Sequence, residues 1–230
     1  KPSRFEKWLD DTFGDKIKDI VIYFSVFVSL IFSIGLFILL PTALVGWMKK
    51  IIASAPLLSL CEGGVRILIF LAYLFLVSRM KDIQRVFEYH GAEHKTIAAY
   101  EHGEELTPEN AAKHSRLHPR CGTNYLFLVM AVSILLFAAI GWNANFAVRL
   151  AMRIAFLPVV AGLSYEVLRF AARHDNWLTR IIRAPGMALQ RITTKEPTAD
   201  MLEVAIAAFN LAMDPNYKVE NAAGAAQSAE

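Results

Sequence analysis

Ile20-Val21-Ile22-Tyr23-Phe24-Ser25-Val26-Phe27-Val28-Ser29-Leu30-Ile31-Phe32-Ser33-Ile34-Gly35-Leu36-Phe37-Ile38-Leu39-Leu40 carries no charged side chain. An α-helix needs about 20 such residues to cross the hydrocarbon core of a bilayer. A soluble domain of 230 residues has no need of such a helix, so the stretch predicts a membrane span. Pro41 follows it, and a proline without an N–H ends a helix or kinks it.

Upstream, residues 1–19 are charged and mixed, with Phe5, Trp8, Leu9 and Phe13 at helical spacing. They predict a short amphipathic helix on the membrane surface. Downstream, Lys49 and Lys50 mark a turn. Ile51 to Leu60 is apolar but broken by Pro56, and reads as an interfacial or re-entrant piece or as the start of a long second helix. Ile67 to Val77 is strongly apolar and completes a first membrane hairpin over 20–80. Glu62 and Arg66 stand four apart just before it, so they can pair on one helix face. Charge this close to a span is a neutralised anchor or part of a polar cavity.

Tyr125 to Trp142 and Phe146 to Phe170 are two further apolar runs, a second hairpin over 125–170. Between them Gly141 to Asn145 reads as a tight turn with an interfacial tryptophan. The last part, 171–213, is basic and amphipathic, and 214–230 reads as a disordered tail. Asp200 to Glu203 resembles a capping box opening a final helix through Met213. The fold class predicted is all-α: a polytopic protein with about four transmembrane helices, a metal-binding cytoplasmic loop and amphipathic C-terminal helices.

Composition agrees. Hydrophobic residues make up 55% of the chain, and the mean hydropathy is +0.38. A net charge of +3 is too small to argue for nucleic acid. Two cysteines far apart do not make a disulfide framework. Lysine and arginine gather before the first run, between the second and third (Arg79 to Arg120), and after the fourth (Arg173 to Lys195). The other side has mainly Lys49, Lys50 and Arg149. The positive-inside rule then puts both termini and the loop over 81–124 in the cytoplasm. The partners expected are the lipid bilayer and other membrane proteins.

That loop holds the chemistry. Tyr89-His90-Gly91-Ala92-Glu93-His94 has His90 and His94 four apart, able to face one metal ion from one helix. With Glu93 between them the order is H-x-x-E-H, an inverted zinc-hydrolase motif. His118-Pro119-Arg120-Cys121-Gly122 adds two more nitrogen or sulfur donors. Five of the six histidines and one of the two cysteines fall in this region. His90, His94, His118 and Cys121 make a reasonable tetrahedral zinc set. Thr107-Pro108-Glu109 reads as a helix start that folds the loop back, bringing the two halves together.

Several of these stretches resemble the YqhQ-like family of bacterial membrane proteins. They are Val86 to Ile97, Tyr100-Glu101, Leu117 to Thr123, Ser164-Tyr165-Glu166, Arg173-His174-Asp175, Ala184-Pro185-Gly186 and Thr194-Lys195-Glu196-Pro197. The resemblance runs from about Cys61 to Phe209. It implies a metal-dependent enzyme of the bacterial inner membrane. Members usually begin with a glycine-rich segment that is absent here; if that segment helps build the site, this chain carries only part of it.

Two functions of different class follow. In a membrane zinc hydrolase, a peptidase among the options, His90 and His94 bind zinc, and His118, Cys121, Glu101, Glu166 or His174 complete the site. Glu93 then acts as general base. In a non-enzymatic scaffold or assembly factor, a four-ligand structural zinc pins the loop. A third reading is a transporter using Glu62, Arg66, Arg149, Arg153 and Glu166.

Overall fold

The computed structural model describes residues 15–140 and 145–214, all helix and connection with no strand among them. The expected surface helix before residue 15, the turn around Trp142 and the tail beyond residue 214 lie outside the described residues. Two compact units, Lys1–Phe70 and Leu71–Glu230, make up the chain. Four helices are long and apolar enough to cross a membrane: Ile20–Met48, Ala55–Val77, Gly122–Ile140 and Ala147–Arg173.

In the first unit, α1 (Asp15–Ile34) runs through a π-helical turn (Gly35–Leu39) into α2 (Leu40–Met48). Asp15 to Asp19 thus open the spanning helix. Helical structure continues past Pro41. The reason lies in the turn before it: the Leu40 N–H reaches back five residues to the Gly35 carbonyl. A proline ring crowds the carbonyl four residues back, and a π register loosens the ladder there. Ile22, Tyr23, Phe24, Phe27 and Phe32 are all exposed. Such a surface would cluster in water, and it suits lipid.

α3 (Ala55–Val77) shows that Pro56 sits in a helix's first turn, where no N–H is missed. Of the readings open for Ile51 to Leu60, the start of a long second helix is the one found. Glu62 is only 1% exposed. It accepts from Thr42 Oγ1 at 2.9 Å and pairs with Arg66 Nη2 at 3.2 Å. A carboxylate in an apolar helix needs such partners, because an unpaired charge there is costly.

The second unit continues with α4 (Lys81–Glu101), α5 (Pro108–Ala112), α6 (Gly122–Ile140), α7 (Phe146–Arg173), α8 (Trp177–Thr193) and α9 (Ala199–Met213). Thr107 caps α5, accepting from Asn110 N, with Pro108 first in the helix. Asn145 caps α7, and Asn176 caps α8 in a reciprocal box with Thr179. α9 begins at Ala199 after Thr198, so Asp200 lies inside the first turn and is not the cap that the pattern suggested. α4, α5 and α9 pack together around Ala92, Ala99, Ala111, Met201, Leu202 and Ile206. α6 packs on α7 and α8. Small alanines let α9 approach α4 closely, and this holds the His90 helix in place.

Candidate metal centre

The site starts at a glycine. A Cβ on Gly91 would lie 2.0 Å from the Lys195 carbonyl oxygen, so only glycine admits the chain leaving α8 onto the side of α4. The Lys195 N–H bonds the Phe87 carbonyl at 2.8 Å. That approach lays the Thr193 carbonyl 2.8 Å from His90 Nδ1. One turn on, His94 Nδ1 lies 2.6 Å from the Arg116 carbonyl. Each carbonyl accepts an Nδ1–H and leaves Nε2 to face inward, the carbonyl-supported histidine of metal sites.

Cys121 meets them from the start of α6. Its Sγ lies 3.2 Å from His90 Nε2 and accepts the Thr123 N–H at 3.4 Å. Donor atoms of His90, His94 and Cys121 lie within 4.8 Å of one another. Zinc bonds of roughly 2.1 Å to nitrogen and 2.3 Å to sulfur put tetrahedral ligands about 3.5 Å apart, so the three fit one ion. Burial pushes the Cys121 thiol up, but hydrogen bonds from His90, His94 and Thr123 outweigh it and bring it from 9.0 to about 5. The same contact raises His90 above its ordinary value; burial opposes this, while the Thr193 carbonyl and the charges of Cys121 and Glu93 support it. Without an ion, the pair tends to thiolate and imidazolium.

The turn carrying Cys121 is held by α8. Gln190, fully buried, accepts the His118 N–H and donates to the His118 carbonyl, both at 2.8 Å. It also donates to Asn124 Oδ1 at 3.1 Å, and Asn124 donates to the Pro119 carbonyl at 2.6 Å. A Cβ on Gly186 would lie 2.2 Å from that same Oδ1. Lys95, 6% exposed, ties the loop from below through the Ala112 and His114 carbonyls and Glu196. Arg116 donates to the carbonyl and hydroxyl of Thr194.

His118 stands beside this group, its ring 5.7 Å from that of His94, but outside the set of three. Its Nε2 lies 3.3 Å from Glu101 Oε2, and its Nδ1 accepts the Arg120 N–H at 3.4 Å. Both nitrogens are therefore engaged, and Glu101 also holds Arg120 at 2.7 Å. Glu166 pairs with Arg169 on an exposed face, and His174 stacks on Phe170. Neither joins the group of three. Glu93 is exposed and lines a groove of about 340 Å³ with Tyr89, Ile97, Ala205 and Phe209. Gln190, Asn124, Lys95 and Gly91 had no assigned role on sequence grounds. The Ala184-Pro185-Gly186 and Thr194-Lys195-Glu196-Pro197 stretches were the signal that this part of the chain mattered, without saying for what.

The class is thus a helical protein with four membrane-length helices and a His/His/Cys donor cluster in its longest polar connection. A family profile described as "Protein of unknown function (DUF1385)" matches residues 4–215, and the chain belongs to that family. It is 35% identical over 183 residues to "Uncharacterized protein YqhQ" of Bacillus subtilis (strain 168). The match covers 79% of this chain and 57% of that relative, so the chain spans little more than half the relative's length. No solved structure matches.

Proposed function

We propose that this chain is a zinc-binding protein of the bacterial inner membrane, with the metal centre and both termini on the cytoplasmic side, and that the centre is hydrolytic. The observation carrying the metal is the convergence of His90 Nε2, His94 Nε2 and Cys121 Sγ, each histidine backed by a carbonyl. Three protein ligands leave one position open, the mark of catalytic zinc. A bound zinc ion supplies Lewis acidity at that position. Glu93, beside His94 in the sequence and exposed on α4, would take the proton of the attacking water. His90 and His94 hold their rings fixed through the Thr193 and Arg116 carbonyls.

The scaffold alternative needs a fourth ligand. His118 is the neighbouring imidazole, and its Nε2 is given to Glu101. That engagement favours the open, hydrolytic site.

Metal analysis of the purified protein and of variants tests the reading. Wild type should carry about one zinc per chain, and His90→Ala, His94→Ala and Cys121→Ala should lose it. His118→Ala should keep it. Glu93→Gln should keep zinc and fold yet lose the cellular function, by roughly 10²–10⁴ if it acts as general base. Full complementation by Glu93→Gln with zinc unchanged would remove the hydrolase and leave the scaffold.

A further inference from the structure

The cytoplasmic-side end of α7 carries a second feature, independent of the metal. Tyr165, Leu168, Arg169, Ala172 and Arg173 share one face of that helix and, with Arg120, line a cleft of about 490 Å³. Three guanidinium groups line it and no carboxylate does. Arg120 is held by Glu101, and Arg169 by Glu166 at 3.3 Å, in an exposed pair that costs little to exchange. Arg173 has no carboxylate in ion-pair contact among the described residues. The cleft therefore has cationic capacity to spare.

Its position says what kind of anion. Arg169 and Arg173 close the membrane-length stretch Ala147–Arg173, where hydrocarbon gives way to headgroups. α8 follows after three residues. Its buried residues include Thr179, Gln190 and Thr193 beside Leu189, while Trp177 is 74% exposed and Ile181 is 60% exposed. A helix that shows Trp177, Leu178 and Ile181 outward together with Arg180 and Arg191 suits the interface, where apolar side chains meet lipid and guanidinium groups meet headgroups. Below the arginines, Leu168 offers an apolar wall for chains.

We propose that this cleft binds the phosphate headgroup of an anionic membrane lipid. Arg169 and Arg173 engage the phosphate oxygens, where a planar guanidinium can bond two at once, and the Tyr165 hydroxyl donates beside them. Basic pockets at the polar ends of membrane helices take acidic lipids by this chemistry.

Native mass spectrometry of the full chain in detergent tests it, with phosphatidylglycerol, phosphatidylcholine and inorganic phosphate as probes. Wild type should retain phosphatidylglycerol at least tenfold better than phosphatidylcholine. R169Q/R173Q should bring the two to parity, and R173Q alone should give a partial loss of about three- to tenfold. R85Q/K113Q removes the same charge from exposed positions away from α7 and α8 and should leave retention unchanged. Thermal unfolding of each variant confirms the fold, which these exposed side chains do not support. Undiminished phosphatidylglycerol retention by R169Q/R173Q would overturn the proposal. So would an equal loss in R85Q/K113Q, or inorganic phosphate saturating the cleft at lower concentration than the lipid.

Discussion

Two backbone carbonyls decide which nitrogens of His90 and His94 face Cys121. Spacing alone could place the two rings on one face, but not choose the tautomer. The thiol follows from the same contacts. Its folded value of about 5 stands below its ordinary 9.0, so the thiolate's contribution to stability is complete above about pH 9 and is lost as pH falls through about 5. In metal-free protein carrying Cys61→Ser, thiolate absorbance near 240 nm should titrate with a midpoint near 5; a midpoint near 9 would show that the His90 contact is absent in solution. Zinc affinity should fall over the same range, as protons compete for the ligands. Gly91 sets a second limit. Gly91→Ala puts a methyl group on the Lys195 carbonyl, a backbone atom that cannot swing away. It should cost about 1–3 kcal/mol or more, seen as a lower denaturant midpoint, and should weaken zinc binding because Thr193 shifts with Lys195.

α8 buries several polar side chains and exposes several apolar ones. Its inward face holds Thr179, Gln190 and Thr193 beside Leu189, and its outward face shows Trp177, Leu178 and Ile181 among Arg180 and Arg191. The inward groups are buried, so each needs a partner, and Gln190 finds three in His118 and Asn124. Gln190→Leu keeps the size but strands the His118 N–H and carbonyl. It should cost about 1–3 kcal/mol in chemical denaturation and loosen the Cys121 turn, lowering zinc retention. A Gln190→Leu variant with unchanged stability and zinc would mean that α8 does not hold the turn. Elsewhere the elements follow local signals closely: Thr107, Asn145 and Asn176 each cap the helix they precede.

The excess of lysine and arginine before Ile20, between Val77 and Gly122 and after Arg173 makes a directional prediction for the four membrane-length helices. In a C61S/C121S background, single cysteines at Glu104 and Ala147 should label from opposite faces of the membrane. Labelling of both from one side would break the proposed topology. The polar connection between α3 and α6 is where the His90, His94 and Cys121 donors gather, because only outside hydrocarbon can a polar, irregular chain fold back on itself at low cost.

The membrane class was legible from Ile20 to Leu40 alone, since twenty uncharged apolar residues have one favourable environment. Caps and the two histidines at i and i+4 were legible for a similar reason: helical geometry links residues three or four apart. Contacts across long chain separations obey no such period. Sequence spacing offered His118 and Cys121 as equivalent donors. Packing separated them, turning Cys121 toward His90 and giving His118 to Glu101, 17 residues back along the chain. Thr193 reaches His90 across 103 positions, and Gln190 reaches His118 across 72. Those partners depend on α8 folding against the α4 side of the unit, which no local pattern encodes. Tertiary packing therefore decided which donors converge and which nitrogens they present.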